Sequence, residues 1–280
     1  MKPYKSSTNT LKEVGRIMSG SLSHLVANPA TENLAVLFEI YWSYLLGKGF
    51  GGSGQDREFR AEANAAKAFI SNSSPILFDV GANLGKWSSL LHAMFPNSRI
   101  FLFEPQPYCQ RVLQGEKIPD SELIPKAVSS TNGVTTIYIP ESNSASGIAS
   151  LYERLDSSTK NLNFTTIEVE TITLDDVIED YKLSRVDFMK MDIEGHELSA
   201  LQGASKSLEK GTIKALSFEF GSGNINSRTF FRDFWDLLTP FNYQIYRILP
   251  SFRLMPIKDY YEDCEYFRGV SNYVAVLDEP

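Results

Sequence analysis

A glycine-rich segment follows a short apolar run at residues 75–85 (PILFDVGANLG). An apolar run that passes through a tight turn into an apolar-periodic segment predicts a buried strand, a loop and a helix. Gly81 and Gly85 would let the backbone approach a ligand closely, and the start of the helix adds backbone N–H donors. Nucleotides and nucleotide-like cofactors bind at such turns in doubly wound sheets, so the sequence predicts a cofactor site here.

The polar residues around this turn indicate which cofactor it binds. The dinucleotide pattern G-x-G-x-x-G has a second glycine where this chain has Asn83. Asp79 places a carboxylate at the end of the strand, where it would repel a pyrophosphate and attract an ammonium group. Glu104 ends the next predicted strand, where an acid accepts hydrogen bonds from ribose hydroxyls. S-adenosylmethionine carries an amino group and a ribose but no phosphate, so these residues favour it.

A second polar cluster, Asp192-Ile193-Glu194-Gly195-His196-Glu197, follows another predicted core strand. His196 could accept a proton from an attacking hydroxyl, and Asp192 could orient either that histidine or the substrate. Together with Glu219 these residues could instead hold a divalent cation such as Mg²⁺. A structural alternative also exists, in which the acids of the cluster only stabilise the start of a helix and His196 is a surface residue.

Composition limits the classes of protein to which the chain can belong. It has 280 residues, 42% of them hydrophobic and 22% charged, which is typical of a globular protein. A net charge of −7 argues against a nucleic-acid-binding surface. Cys109 and Cys264 give neither a disulfide framework nor zinc spacing, so a reduced, cytoplasmic setting is expected. The apolar run at 34–46 is too short for a membrane span and contains Glu39.

The order of predicted elements indicates an α/β fold. Strands alternate with helices after residue 74, which predicts a mostly parallel, Rossmann-like sheet with helices on both faces. Residues 1–73 are predicted to form an N-terminal helical cap, and residues 74–280 the cofactor-binding domain. The cap would be either a lid over the site or an interface in a homo-oligomer. The predicted strands are 76–80, 99–103, 123–128, 135–139, 164–172, 186–191, 213–220, 243–249 and 272–277.

Four segments together resemble one known family. FDVGANLGKWS, FEPQP, VDFMKMDIEGHELSALQGA and SFEFG are similar to the FkbM family of S-adenosylmethionine-dependent methyltransferases. The resemblance covers the chain from about Ser74 to the NYVAV segment near its end. It implies a seven-stranded class I methyltransferase sheet and methyl transfer to a hydroxyl of a sugar, small molecule or secondary metabolite.

The resemblance also suggests a role for each candidate residue. Asp79 would bind the amino group of the cofactor, Asn83 its carboxylate end and Glu104 its ribose, with adenine near Ala127. Gly81 and Gly85 would allow close backbone approach. Asp192 would lie beside the cofactor and next to His196, the general base. Expected roles are therefore assigned to Asp79, Gly81, Asn83, Gly85, Glu104, Ala127, Asp192 and His196.

Two other functions compete with this interpretation. A nicotinamide-dependent oxidoreductase would need a Tyr-x-x-x-Lys pair, and that pattern occurs only at Tyr44 and Lys48, ahead of the glycine-rich turn. A non-catalytic scaffold could keep the fold without the reaction, although the acids at Asp79, Glu104 and Asp192 argue against it. Cofactor titration separates the first of these, and cofactor binding without turnover would indicate the second.

Overall fold

The computed structural model describes residues 13–20, 23, 29–51, 56–116, 118–141, 147, 149–154, 159 and 161–278. Residues 13–20 are helical. The further helices are α1 (Pro29–Leu45), α2 (Asp56–Phe69), α3 (Lys86–Met94), α4 (Pro107–Glu116), α5 (Leu174–Asp180), α6 (Glu197–Gln202), α7 (Ser205–Glu209), α8 (Ser222–Ser227) and α9 (Phe231–Leu238). The strands are β1 (Ile76–Val80), β2 (Arg99–Phe103), β3 (Ser121–Ile124), β4 (Ala127–Val128), β5 (Gly133–Pro140), β6 (Phe164–Ile172), β7 (Phe188–Met191), β8 (Ala215–Gly221), β9 (Tyr243–Ile248), β10 (Leu254–Ile257) and β11 (Val270–Leu277).

Eight strands form the main sheet, in the order β10-β9-β11-β8-β7-β1-β2-β3. Strands β8, β7, β1, β2 and β3 pair in parallel, whereas β11 is antiparallel to both β8 and β9. Parallel strands covered on both faces are apolar along their length, as the buried Phe78, Phe101 and Phe188 illustrate. The predicted α/β fold with a mostly parallel sheet is therefore confirmed.

The strand count differs from the expected seven. The additional strand, β10, lies in the segment between the last two predicted strands and pairs with β9 at the edge of the sheet. Its sequence, LMPI, contains Pro256, which lacks an N–H group and suits only an edge strand. That proline is the reason why the sequence did not predict a strand there.

The predicted strand 123–128 is divided between two sheets. Strand β3 ends at Ile124 in the main sheet, and Ala127 and Val128 form β4 in a separate sheet of order β4-β6-β5. Pro125 lies between them and cannot donate to a strand ladder. The prediction of one continuous strand was wrong because it passed over this proline. The division places Ala127 beside the end of β2, where the candidate pocket lies.

Helix α2 packs on one face of the main sheet. Its buried Ala63 and Ala66 belong to the same apolar cluster as Leu77 of β1 and Phe188 of β7. The chain divides into two compact units, Met1–Leu45 and Leu46–Pro280, so α2 is part of the second unit. A role for residues 1–73 as a lid or an interface stays a prediction.

Helix α1 belongs to the first unit and exposes many apolar side chains, among them Leu37, Phe38 and Trp42. Within the described residues, every helix is too short or too polar to cross a membrane. Parts of the predicted N-terminal helices, of the connection at 48–54 and of the loop at 142–150 lie outside the described residues.

Candidate functional site

A pocket opens at the carboxyl ends of β1, β2 and β7. Five of the predicted cofactor residues line it: Gly81, Asn83, Glu104, Ala127 and Asp192. The apolar part of its wall comprises Val80, Phe103, Pro105, Val128, Ile137, Ala149, Leu151 and Ile193.

The glycine-rich turn is held against the end of β7. Gly81 has φ +81°, and a Cβ atom there would lie 2.0 Å from the carbonyl oxygen of Asp192. Asn83 also adopts a left-handed φ, of 49°, which asparagine tolerates better than most residues. Gly81 is thus required by backbone packing between two strand ends, a contact that the sequence did not predict.

Gly85 begins α3 from a left-handed conformation, with φ 73°. A Cβ atom there would meet Leu113 of α4 at 2.8 Å, so this glycine lets two helices pack. It does not line the pocket. The expectation that Gly85 permits backbone approach to the cofactor has no support in this geometry.

Glu104 is a buried carboxylate fixed by the backbone at the end of β2. Its Oε2 accepts a hydrogen bond from the Asn83 N–H at 2.7 Å, and its Oε1 accepts one from the Gln106 N–H at 2.8 Å. Burial raises its pKa to about 7, although these hydrogen bonds oppose the rise. Each oxygen keeps a lone pair for a further donor, so the geometry suits a ligand diol, as predicted for the ribose.

Asp79 lies behind the pocket and is fully buried. Its Oδ2 accepts a hydrogen bond from the Ser88 hydroxyl of α3 at 2.6 Å, and its Oδ1 lies 3.5 Å from Lys190 Nζ. Oδ1 has no hydrogen-bond partner among the described residues. Asp79 contacts Ser88 of α3 and Lys190, and it does not line the pocket. Its predicted contact with the amino group of the cofactor therefore remains a proposal.

Lys190 links the two strands that carry the acids. It pairs with Asp79 in the register of β1 and β7, so both side chains leave the same face of the sheet. Its Nζ lies 3.2 Å from Asp192 Oδ2. Burial lowers the pKa of Lys190, but the charges of Asp192 and Asp79 raise it overall, and the lysine stays charged.

His196 makes polar contacts on both sides of its ring. Its Nε2 lies 3.0 Å from the Ser129 hydroxyl, and its Nδ1 lies 3.2 Å from the Tyr152 hydroxyl. Burial lowers the pKa of His196 to about 4, so the ring is neutral near pH 7. His196 does not line the pocket. Its ring contacts Ser129 and Tyr152, whereas Asp192 pairs with Lys190. The predicted pairing of Asp192 with His196 is therefore absent from the contacts of the described residues.

The turn between β7 and α6 is fixed by Glu197. Its Oε1 accepts hydrogen bonds from the backbone N–H groups of Ile193 and Gly195, at 3.0 and 3.3 Å. Burial raises its pKa to about 7. Glu194 adopts a left-handed φ of 55° and pairs with the buried Arg154. These contacts hold the turn rigid beside the pocket.

The predicted divalent cation site is not supported. Within the described ranges, no group of three or more His, Cys, Asp or Glu side chains is arranged to hold a metal ion. Asp192 pairs with the Lys190 ammonium, and His196 faces Ser129 and Tyr152. The Lys190 ammonium close to the Asp192 carboxylate would repel a metal cation there. The residue types alone suggested a metal site because they do not show this pairing.

Several residues of the site escaped the sequence-based prediction. Lys190 interrupts an apolar strand, and that break in the pattern is a signal that could have identified it. In the sequence, Glu197 looks like any acid in the first turn of a helix. Nothing in the residue pattern therefore indicates the hydrogen bonds that it accepts from the backbone of the turn. Arg154 and Tyr152 come from a segment of low apolar content, and only the folded chain places them beside the turn.

Comparison with known proteins identifies the family. The methyltransferase FkbM domain matches residues 79–245. Among curated relatives, the chain is 28% identical over 160 residues to methyltransferase sdnD of Sordaria araneosa, covering 48% of this chain and 62% of that protein. It is 25% identical over 158 residues to the hexuronic acid methyltransferase AglP of Haloferax volcanii, covering 55% and 60%. The aligned part thus spans about three fifths of each relative.

Among solved structures, the plantazolicin methyltransferase BpumL in complex with SAH covers 97% of this chain and 99% of its own, with 8% identity and a TM-score of 0.40. That likeness is too distant to carry an argument about function. The domain match spans more than half of the chain and includes the turn at Gly81, Glu104 and the segment from Asp192 to His196. The chain belongs to the FkbM methyltransferase family.

Proposed function

We propose that the protein is an S-adenosylmethionine-dependent O-methyltransferase that acts on a hydroxyl of a small molecule or carbohydrate. The observation that carries the proposal is Glu104, a buried carboxylate at the pocket wall that the backbone N–H groups of Asn83 and Gln106 hold in place. A carboxylate so placed suits a ribose diol.

The charges beside the pocket fit this cofactor. Asp79 and Asp192 supply carboxylates to this region, and the buried Lys190 lies between them. S-adenosylmethionine brings a sulfonium and an ammonium group, which suit a region with two carboxylates and one lysine. In this proposal Glu104 binds the ribose, Ala127 contacts the adenine, and Asn83 and Gly81 border the methionine part. Asp79 is the partner of the ammonium group, with Asp192, which lines the pocket, beside it.

Bound S-adenosylmethionine would supply an activated methyl group. The work left to the chain is to orient the acceptor hydroxyl and to receive its proton. Orientation can contribute about 7–11 kcal/mol, and a positioned base a further factor of roughly 10²–10⁴. His196 is neutral and so can accept a proton, provided that one ring nitrogen exchanges its present partner for the acceptor.

The acceptor class rests on weaker support. AglP is named as a hexuronic acid methyltransferase, and its similarity to this chain suggests a carbohydrate acceptor. A nicotinamide cofactor is disfavoured by Asn83, which stands where the dinucleotide-binding pattern has its second glycine. A scaffold without activity stays the alternative that a transfer assay must exclude.

The test uses S-adenosylmethionine that carries an isotopically labelled methyl group. The protein is incubated with a panel of sugars and hydroxylated small molecules, and the products are identified by mass and by the chemical shift of the methyl carbon. We expect a methyl ether together with S-adenosylhomocysteine. Substitution His196→Ala should lower turnover far more than cofactor affinity. Cofactor binding without any labelled product would indicate the scaffold, and label on nitrogen or carbon would contradict O-methylation.

A further inference from the structure

Residues 149–154, here called the pocket strap, lie between the cofactor pocket and the turn that joins β7 to α6. Two side chains of the strap, Ala149 and Leu151, line the pocket. They also pack against Ala127 and Ile137, in the apolar cluster of the sheet formed by β4, β5 and β6. The pocket strap therefore supplies part of the apolar wall against which a cofactor would lie.

The alternate side chains of the pocket strap contact the turn instead. Ser150 pairs with Tyr138 of β5 through two backbone hydrogen bonds, and its hydroxyl donates to the Glu194 carbonyl oxygen at 2.9 Å. The Tyr152 hydroxyl lies 3.2 Å from His196 Nδ1. Such an alternation is typical of extended chain, in which successive side chains leave opposite sides. One short segment thus contacts the pocket with one set of side chains and the histidine with the other.

Arg154 ties the end of the pocket strap to the same turn. Its guanidinium donates a hydrogen bond to Glu194 Oε2, and the two side chains form an ion pair. Its Nη2 lies 3.5 Å from the Ser222 hydroxyl at the start of α8, and its carbonyl oxygen accepts a hydrogen bond from the Thr159 hydroxyl at 3.2 Å. Arg154 is only 5% exposed, so solvent ions screen its ion pair little.

The turn depends on these contacts because Glu194 has a left-handed backbone, with φ 55°. A conformation of that kind persists where the surrounding contacts hold it in place. The pocket strap supplies two such contacts, from Ser150 to the Glu194 carbonyl oxygen and from Arg154 to its carboxyl group. Loss of the Arg154 side chain would leave a buried acid without its partner and would release both the pocket strap and the turn.

We propose that Arg154 is a positioning residue, which holds the pocket strap against the turn between β7 and α6 and so couples cofactor binding to the orientation of His196. A cofactor that contacts Ala149 and Leu151 packs the pocket strap against the turn, and Tyr152 then holds His196 Nδ1. With the ring proton on Nδ1, Nε2 has the lone pair that accepts the proton of the acceptor hydroxyl. The proposal rests on the proposed function, because it takes S-adenosylmethionine as the occupant of the pocket.

Calorimetric titration with S-adenosylhomocysteine compares the unmodified protein with Arg154→Ala. We expect the affinity to fall at least about fivefold, because the wall that the pocket strap forms is no longer held in place. Arg154→Lys keeps the positive charge and should recover part of this loss. Arg185→Ala is the matched control, since Arg185 pairs with the buried Asp187 at the end of β7 that lies away from the pocket. It should leave the affinity unchanged.

A second measurement follows the ring of His196, which a merely structural role of Arg154 would not affect. Long-range ¹H–¹⁵N spectra record the ring nitrogens of the three histidines in the chain, and His196→Ala assigns the signals of His196. In the unmodified protein, we expect saturation with S-adenosylhomocysteine to shift these signals. In Arg154→Ala, the same signals should stay at their unliganded positions when the variant is saturated with the ligand.

Thermal melting verifies that each variant folds. If Arg154→Ala does not fold, Ser150→Ala takes its place, because it removes only the hydroxyl that contacts the Glu194 carbonyl oxygen. Its affinity should fall by roughly two- to fivefold. Unchanged affinity in the folded variant, or a His196 response that survives the substitution, would overturn the proposal. If the unmodified protein does not bind S-adenosylhomocysteine, the proposed function fails and this proposal fails with it, which is a distinguishable outcome.

Discussion

Glu104 and Glu62 are both buried acids with a raised pKa, yet their surroundings differ. Glu104 accepts hydrogen bonds from two backbone N–H groups, whereas Glu62 accepts none from the described residues. Since a satisfied carboxylate is fixed before a ligand arrives, the Glu104 end of the site is preorganised. The Glu62 end lies near Lys190, Asp192 and Asp79, and burial raises the pKa of Glu62 to about 8. The two ends therefore differ in role: Glu104 borders the pocket, and Glu62 is a buried acid whose bound proton makes stability depend on pH.

The largest effect is expected at Gly81, where the glycine-rich turn packs against the end of β7. Substitution Gly81→Ala places a Cβ atom 2.0 Å from the Asp192 carbonyl oxygen, at a position with φ +81°. The turn must move away from β7, which should cost at least about 2 kcal/mol of stability and abolish measurable cofactor binding. Calorimetry with S-adenosylhomocysteine and thermal melting measure both effects.

Gly115→Ala is the control for that variant, since a Cβ atom at Gly115 has no neighbouring atom within 4 Å. It should bind S-adenosylhomocysteine as the unmodified protein does. Normal binding by Gly81→Ala would show that the contact between the two strand ends does not shape the pocket.

A smaller effect is expected at the preorganised end. Glu104→Ala leaves the Asn83 and Gln106 N–H groups without their acceptor, so affinity for S-adenosylhomocysteine should fall at least about tenfold. Glu122→Gln, at a half-exposed acid of the neighbouring strand β3, serves as the comparison and should change affinity little. Unchanged affinity in Glu104→Ala would remove the ribose assignment.

The buried carboxyl of Glu62 should make the stability of the folded protein depend on pH. The pKa of Glu62 is raised to about 8, so the folded state holds this proton more tightly than the unfolded chain does. The stabilisation is complete at acid pH and is lost as pH rises through 8. Below pH 6.5 His196 acts in the opposite sense, because its pKa is lowered to about 4, so the informative window lies above that pH.

The melting temperature of the unliganded protein should therefore fall between pH 6.5 and pH 8.5. Glu62→Gln should weaken this fall and raise the melting temperature at the alkaline end by about 2–4 °C. Residual pH dependence is expected from Glu194, whose pKa is also raised to about 8. A variant that melts lower than the unmodified protein at pH 8.5 would indicate that Glu62 stabilises the fold at that pH.

The smallest effect is expected at Tyr152, whose hydroxyl lies 3.2 Å from His196 Nδ1. Tyr152→Phe removes that contact and keeps the ring. If the tyrosine orients His196 for proton transfer, turnover should fall by roughly two- to tenfold with cofactor affinity unchanged. Steady-state kinetics with saturating S-adenosylmethionine measure the effect. An equal loss of affinity would point to a structural role.

The sequence predicted best where a residue type determines local geometry. The turn at Gly81 and the strand with Asp79 appear as expected, because glycine and apolar runs act locally. The prediction from the sequence failed where Pro125 divided a predicted strand, and where contacts between residues distant in the chain determine the geometry. Lys190 pairs with Asp192, one of the residues that suggested a metal, and the register of β1 and β7 places Lys190 beside Asp79 as well.

The most direct test is a calorimetric titration of the protein with S-adenosylmethionine and S-adenosylhomocysteine, with NADH as the control, in the presence and absence of Mg²⁺. The preorganised end predicts micromolar binding of the first two ligands, no binding of NADH and no effect of Mg²⁺ on either affinity. Binding of NADH, or failure of both sulfur ligands to bind, would contradict the assignment of the pocket to S-adenosylmethionine.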